Sequence, residues 1–330
     1  MLRKQIKTIL NTVPLLTTIG YLVDDFLAGK RMAAGKIDTI TGSKHQSLAL
    51  EESIDYIEEV LADYKHYGEI EKFYGVIAEV GPGDNAGVAL LMRHDGCSRV
   101  DLIDRYYSKR NIEQQGKIYT ALDKKYNLDV FNTGKQWDEK LLSGINWKIG
   151  QSAEDYFQKV ALEQGEIYDF IVSRSVLEHL YNPITGLRHM VDCLKPGGRI
   201  FHKIDFRDHG MFTPKHHELT FLEIPQYLYP RMVQNSGRPN RILVHRYKQA
   251  LEEMKNQGLI SYKLLVTRLV EVGDIQPHKR YEEIDWVKRQ ESIRFIEQFK
   301  NKFAKEFYHL NSEELSVTGV FLVVTKNNIC

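Results

Sequence analysis

The run Val76-Ile77-Ala78-Glu79-Val80, leading without a break into Gly81-Pro82-Gly83, constrains this chain more than any other feature. A short apolar run bounded by glycine and proline reads as a buried strand that ends in a tight turn. Residues 85–94 then carry helical spacing, and Arg99-Val100-Asp101-Leu102-Ile103-Asp104 reads as a second strand. Strand, glycine turn, helix, strand is a βαβ unit. Parallel strands need such a crossover, so the unit commits the chain to an α/β sheet. The alternation continues with strands at 147–149, 168–173 and 199–205 and helices over 153–164 and 184–194, the latter stopped by Lys195-Pro196-Gly197-Gly198. Ahead of the unit, Leu48, Leu50, Ile54, Ile57, Val60, Leu61 and Tyr64 recur at helical intervals and predict an amphipathic helix ending at Gly68. After Asp205 the rhythm breaks. Pro214, Pro225, Pro230 and Pro239, clustered aromatics and several arginines predict an irregular insertion over 206–247, of the kind that builds binding sites at strand ends. A helix at 246–257, strands at 262–270 and 316–325 and a charged helix at 284–307 complete the pattern. The expected fold is α/β, with a seven-stranded, mostly parallel sheet in residues 70–330, an N-terminal helical segment over 1–69, and the 206–247 insertion after strand five on the substrate side.

Composition excludes little but narrows the partners. Lys and Arg number 45 against 44 Asp and Glu, a formal charge of +1 that offers no overall pull on a nucleic acid or an anionic membrane. Cys97, Cys193 and Cys330 lie far apart without CxxC spacing, which speaks against a disulfide framework or a zinc site and for a reducing, cytoplasmic compartment. At the N-terminus, Arg3, Lys4 and Lys7 precede Ile9, Leu10, Val13, Leu15, Leu16, Ile19, Leu22 and Val23. Asn11, Pro14 and Asp24-Asp25 interrupt or close the run short of the ~20 apolar residues that a membrane span requires. The segment is read as a cap or docking helix, with peripheral membrane contact through residues 1–25 as the alternative.

The glycine turn with Asp104 at the end of the following strand is a nucleoside-cofactor pattern, and taken alone it also fits a tight turn in some other α/β protein. Charge discriminates between cofactors. A pyrophosphate at a helix N-terminus is disfavoured by carboxylates, yet Glu79 precedes the turn and Asp84 follows it. Both suit a cationic ligand such as S-adenosylmethionine better than NAD.

The ordered series Glu79-Val80-Gly81-Pro82-Gly83, Asp104, Ser152-Ala153-Glu154, Tyr168-Asp169-Phe170-Ile171-Val172-Ser173-Arg174-Ser175-Val176-Leu177-Glu178-His179-Leu180 and Leu194-Lys195-Pro196-Gly197-Gly198-Arg199-Ile200 resembles the motif set of class I S-adenosylmethionine-dependent methyltransferases. The resemblance implies a Rossmann-like sheet with a reversed last strand. It implies that Glu79 faces the methionine amino group, that Gly81 and Gly83 line the methionine end, and that Asp104 binds the ribose; Asp84 is counted with the cofactor site on the charge argument above. It further implies that Ala153 meets the adenine through its backbone beside Glu154, and that Ser173 closes the methionine side. Ser152 stands where many relatives carry an adenine-binding Asp.

After strand four, Ser173-Arg174-Ser175-Val176 replaces the Asn/Asp-Pro-Pro-aromatic segment of nucleic-acid amino-methylating enzymes, which argues against a nucleic-acid base as acceptor. Phe201-His202-Lys203-Ile204-Asp205-Phe206-Arg207-Asp208-His209, Leu219-Thr220-Phe221-Leu222 and Asn235-Ser236-Gly237-Arg238-Pro239-Asn240-Arg241 resemble bacterial O-methyltransferases of polysaccharide clusters, implying a sugar or other small-molecule hydroxyl as acceptor. For the proton, His209 is expected to act as base with Asp208 or Asp205 orienting it, and His179 competes. The same group with Glu178 could instead hold a hard divalent cation such as Mg²⁺ or Mn²⁺. Arg231, Arg238, Arg241 and Arg246 could bind phosphates of a nucleotide-sugar or lipid-linked glycan, or be structurally paired. His216-His217 lack a third ligand at a recognised spacing. The rival readings are a metal-assisted O-methyltransferase of a nucleic acid or phenol, and a non-catalytic S-adenosylmethionine-binding protein.

Overall fold

The computed structural model describes residues 14–39, 42–128, 142–212 and 216–328. Arg3, Lys4, Lys7 and the rest of 1–13, Pro214 and Cys330 lie outside the described residues. In chain order the main elements are α1 (Pro14–Ala33), α2 (Leu50–Gly68), β1 (Gly75–Val80), α3 (Gly87–Asp95), β2 (Cys97–Asp104), α4 (Ile112–Tyr126), β3 (Ile145–Ile149), α5 (Ala153–Glu163), β4 (Tyr168–Arg174), α6 (Pro183–Cys193), β5 (Leu194–Asp205), α7 (Val244–Asn256), β6 (Ile260–Leu269), β7 (Gly273–Lys279), α8 (Trp286–Phe299) and β8 (Val317–Lys326). Several helix starts are fixed by side chains. Ser152 accepts the Asp155 N–H ahead of α5, and Asn182 accepts the Thr185 N–H ahead of α6, where Pro183 gives up an N–H that had no partner in any case.

The strands form one sheet in the order β3-β2-β1-β4-β5-β8-β6-β7. The first five are parallel, with Ile77 opposite Val100 and Phe170, while β8 runs antiparallel to both β5 and β6. The seven expected strands are present, the last of them reversed, and an eighth, β7, adds an antiparallel edge to β6. Its sequence, Gly-Asp-Ile-Gln-Pro-His-Lys, buries only Ile275 and His278, so no clear alternation marks it, and Pro277 is tolerated because the strand lies at the edge. Helix α4 was likewise not expected; Gly116 and its charged residues mask the buried Ile118, Tyr119 and Leu122.

Alternate side chains of each strand enter separate cores on the two faces. Ile77, Val100, Phe170 and Phe201 pack with α2, α3 and α4, while Ala78, Ile103, Ile171 and Ile204 pack with α5, α6, α7 and α8. Residues 206–247 join the second core through Phe212, Leu219, Phe221, Leu222, Tyr229 and Met232. Helix α1 lies across them. Tyr21 donates to the Met211 carbonyl at 2.6 Å, and Asp25 accepts the backbone N–H groups of Asn235 and Ser236 at 2.8 and 2.9 Å. Its outward face exposes Leu16, Ile19, Val23, Phe26 and Leu27. Among the described residues no helix is long and apolar enough to cross a membrane.

Candidate active site

The turn after β1 has little room for side chains. Gly81 holds φ at 69° while its N–H donates to the Ile103 carbonyl at 2.8 Å, and a Cβ there would sit 2.3 Å from a methyl of Val176. At Gly83, with φ at 70°, a Cβ would stand 2.6 Å from the carbonyl oxygen of Gly42. The 42–46 loop therefore lies directly on the turn, a neighbour that a lone glycine at 42 gives no sequence signal for. Asp84 holds this loop: its N–H donates to the Gly42 carbonyl at 3.1 Å and its Oδ1 accepts the His45 N–H at 3.4 Å. Burial pushes its carboxyl up to about 6. Expected beside a cationic ligand, Asp84 is committed on one oxygen to the protein's own backbone, while its Oδ2 is buried without a partner.

Glu79, the next-to-last residue of β1, is buried with Oε2 unpartnered, and that burial pushes its carboxyl up to about 8. Asp104 ends the neighbouring β2. Its Oδ1 accepts the Tyr106 N–H at 2.9 Å, and burial pushes it up to about 6. Beyond it opens a cleft of about 710 Å³ bordered by Arg105, Gly150, Ser152, Glu154 and Tyr181, with Met32 of α1 above. The Arg105 guanidinium stacks 4.2 Å over the Tyr181 ring. Neither residue carries a sequence signal. Ala153 is buried at the start of α5, and Glu154 is occupied, its Oε1 accepting the N–H groups of Tyr181 and Asn182 at 2.9 and 3.0 Å. The Ser173 hydroxyl is occupied too, lying 2.8 Å from Nδ1 of the fully buried His202 on β5. Glu79, Gly81, Gly83, Asp104 and Ala153 thus gather at the carboxyl ends of the parallel strands, where open α/β sheets bind ligands. The Ser173 hydroxyl and Glu154 Oε1 are engaged within the protein, with Glu154 still at the border of the cleft.

A second cluster lies beyond β4 and β5. The turn 177–179 carries Glu178 and His179, and Asn240 of the insertion pins it by donating its Nδ2 to the Leu177 and Leu180 carbonyls, both at 2.9 Å. His209 approaches from the end of β5, its ring 4.9 Å from that of His179 and its Nε2 3.7 Å from Glu178 Oε1 and 3.4 Å from Asp205 Oδ2. Burial, with like-charge opposition from His209, pushes His179 down to about 4. Burial raises Asp205 but is outweighed by Arg207 and His209, which hold it well below the usual carboxylate range. Arg207 donates Nε to Asp205 Oδ1 at 2.8 Å.

Asp208 does not orient the imidazole. Its oxygens accept the N–H groups of Gly210 and Phe212 at 2.9 and 3.2 Å, forming the turn that leaves His209 with φ of 50°. The carboxylate beside His209 is Asp205, because residues four apart across this turn converge while adjacent ones point apart. Of the insertion's arginines, Arg241 is buried against Glu306 at 3.0 Å, and Arg238 pairs with Asp24 and lies over Tyr21. Arg231 and Arg246 are exposed. His217 packs on Phe299 and contacts Glu223 at 3.3 Å, away from the cluster.

No curated protein matches the sequence. Among solved structures, phosphoethanolamine N-methyltransferase 2 of Haemonchus contortus, crystallised with S-adenosyl-L-methionine, aligns over 82% of this chain and 53% of its own at 15% identity and a TM-score of 0.40. The present chain spans about half the length of that enzyme. The N-methyltransferase NodS of Bradyrhizobium japonicum, with S-adenosyl-L-homocysteine, aligns over 86% of this chain and 90% of its own at 12% identity and 0.37. The plantazolicin methyltransferase BamL aligns over 98% and 100% at 12% identity and 0.42. Likenesses this distant assign no residue. A family model described as a methyltransferase domain matches residues 56–254, from within α2 to within α7, and this chain belongs to that methyltransferase family.

Proposed function

We propose that the protein transfers a methyl group from S-adenosylmethionine to a hydroxyl of a sugar or other small molecule. The observation that carries the cofactor is Glu79: a buried carboxyl at the glycine turn, one oxygen without a donor, beside a turn that leaves no room for side chains. An ammonium placed there would satisfy that oxygen and return the carboxyl to its charged form. In this reading Asp104, at the end of β2, accepts the ribose hydroxyls, supported by the cleft bordered by the adjacent Arg105 and by Tyr181, which suits a flat base. S-adenosylmethionine supplies an electrophilic methyl on a sulfonium, so the chain's own work is to hold the acceptor in line and relieve it of its proton.

For the acceptor, the support is the pairing of His209 with Asp205 at 3.4 Å. A hydroxyl is a poor nucleophile at neutral pH and requires such help, and the proton is proposed to leave at the Glu178, His179 and His209 cluster, with His209 the residue on which the step turns. The sugar class rests on the sequence resemblance over 201–241. Calorimetry with S-adenosylmethionine and NAD, followed by mass spectrometry of sugar acceptors for a methyl increment, tests the reading. Binding of S-adenosylmethionine is expected, lost in Asp104→Ala. His209→Ala is expected to keep that binding and lose roughly 10²- to 10⁴-fold in turnover. NAD binding in place of S-adenosylmethionine overturns the cofactor, and methylation confined to amines overturns the acceptor.

A further inference from the structure

We infer that Glu178, His179 and His209 bind a divalent cation of the Mn²⁺ to Zn²⁺ series. One ligand atom from each residue lies within 4.8 Å of the others. Glu178 is 1% exposed, and neither of its carboxylate oxygens has a hydrogen-bond partner; Nδ1 of His179 is also buried without one. A buried carboxylate with no donor is costly, and here several unpartnered acceptor atoms stand together, an arrangement that a cation relieves in one step. Ligand atoms bound at ~2.0–2.2 Å around one ion stand roughly 3–4 Å apart. Glu178 Oε1 and His209 Nε2 are already 3.7 Å apart, so closure needs only small side-chain rotations.

The frame is built to hold the three in place. Asn240 fixes the Glu178 and His179 turn from two carbonyls, and the Asp208-capped turn aims His209. Asp205 stays occupied by Arg207, so it neighbours the ion as charge and not as a committed ligand. Two imidazoles with one carboxylate favour borderline transition metals over Ca²⁺ or Mg²⁺, which prefer oxygen ligands. Three protein ligands leave coordination positions open, and the half-open His209 side gives a hydroxyl access to them. The inference rests on the same cluster as the reading above and changes one part of it: with His209 Nε2 bound to the cation, the cation and not the free imidazole would activate the acceptor oxygen, while metal binding itself does not depend on methyl transfer.

Chelator-treated, dialysed full-length protein titrated with MnCl₂, ZnCl₂ and MgCl₂ by calorimetry tests it. One equivalent of Mn²⁺ or Zn²⁺ is expected, with Mg²⁺ at least tenfold weaker. Glu178→Gln and His209→Ala should each weaken binding by 100-fold or more, while His94→Ala, an exposed histidine at the end of α3, should not. Circular dichroism and S-adenosylmethionine titration of the same samples report folding and the cofactor site separately. Metal binding without S-adenosylmethionine binding sinks the methyl-transfer reading and leaves the metal site standing. S-adenosylmethionine binding without metal binding, or metal affinity unchanged in both Glu178→Gln and His209→Ala, overturns the metal site.

Discussion

At the residue scale, Glu79 ties ligand binding to protons. Its carboxyl sits at about 8 in the free protein because burial penalises the charge, so below that pH it carries a proton. A cationic ligand requires the ionised form, and binding therefore releases the proton. Affinity for S-adenosylmethionine is expected to rise with pH, approaching tenfold per unit between pH 6.5 and 7.5, and to level off above 8. Calorimetry in buffers of differing ionisation enthalpy checks the proton count. Glu79→Gln should bind about 10- to 100-fold more weakly at pH 8 and lose the pH dependence. A flat profile in the wild type would place the ammonium elsewhere. The residue is visible in the sequence because a carboxylate stands directly before a glycine turn. Its isolation is not, since that depends on α2 covering the same face of the sheet.

At the element scale, turns set the site and helices hold the turns. Gly81→Ala would strain a backbone at φ 69° by about 1–2 kcal/mol and drive a methyl into Val176, adding about 1–3 kcal/mol of overpacking. Thermal unfolding of Gly81→Ala should show the loss, and Val176→Ala in the same chain should recover the overpacking part alone; no recovery would mean that the contact is not the cause. Asn240→Ala removes two hydrogen bonds from the Glu178 turn. It is expected to cut turnover tenfold or more with S-adenosylmethionine affinity unchanged, read as a fall in kcat without a change in Kd. What the sequence reveals of this level is uneven. The parallel strands are legible because both their faces are buried, which leaves continuous apolar runs such as Phe170-Ile171-Val172. Strand β7 and helix α4 are not, because an edge strand and a half-exposed helix carry mixed polarity. Gly42 touches Gly83 only through tertiary folding, and the choice of Asp205 over Asp208, both named from the sequence, is made by a turn whose hand no residue pattern announces.

Over the whole molecule, buried carboxyls make stability fall with pH. Glu79 at about 8, Asp84, Asp104 and Asp208 at about 6, and Glu178, held well above its ordinary value by burial, keep protons that the unfolded chain gives up from about pH 4. The folded state then binds more protons than the unfolded one, so unfolding becomes easier as pH rises across each window. His45 and His179 at about 4 and His202 at about 3 act in the opposite sense, but only below about 6.5. From pH 6.5 to 8, Glu79 remains. Denaturant titrations of ligand-free protein should lose up to about 1.4 kcal/mol per pH unit for the proton that Glu79 retains, with a shallower slope in Glu79→Gln; stability that rises across this range would contradict the burial of Glu79. Strand β8 has a different consequence. It lies between β5 and β6, yet it is synthesised roughly 110 residues after β5 ends. At ~5–20 residues per second, a growing chain spends roughly 6–20 s with β5 as an open edge. During that interval the unpaired backbone of residues 199–205 is the segment most open to strand capture by another nascent chain, so ribosome pausing between β6 and β8 should determine how much of this protein aggregates during synthesis.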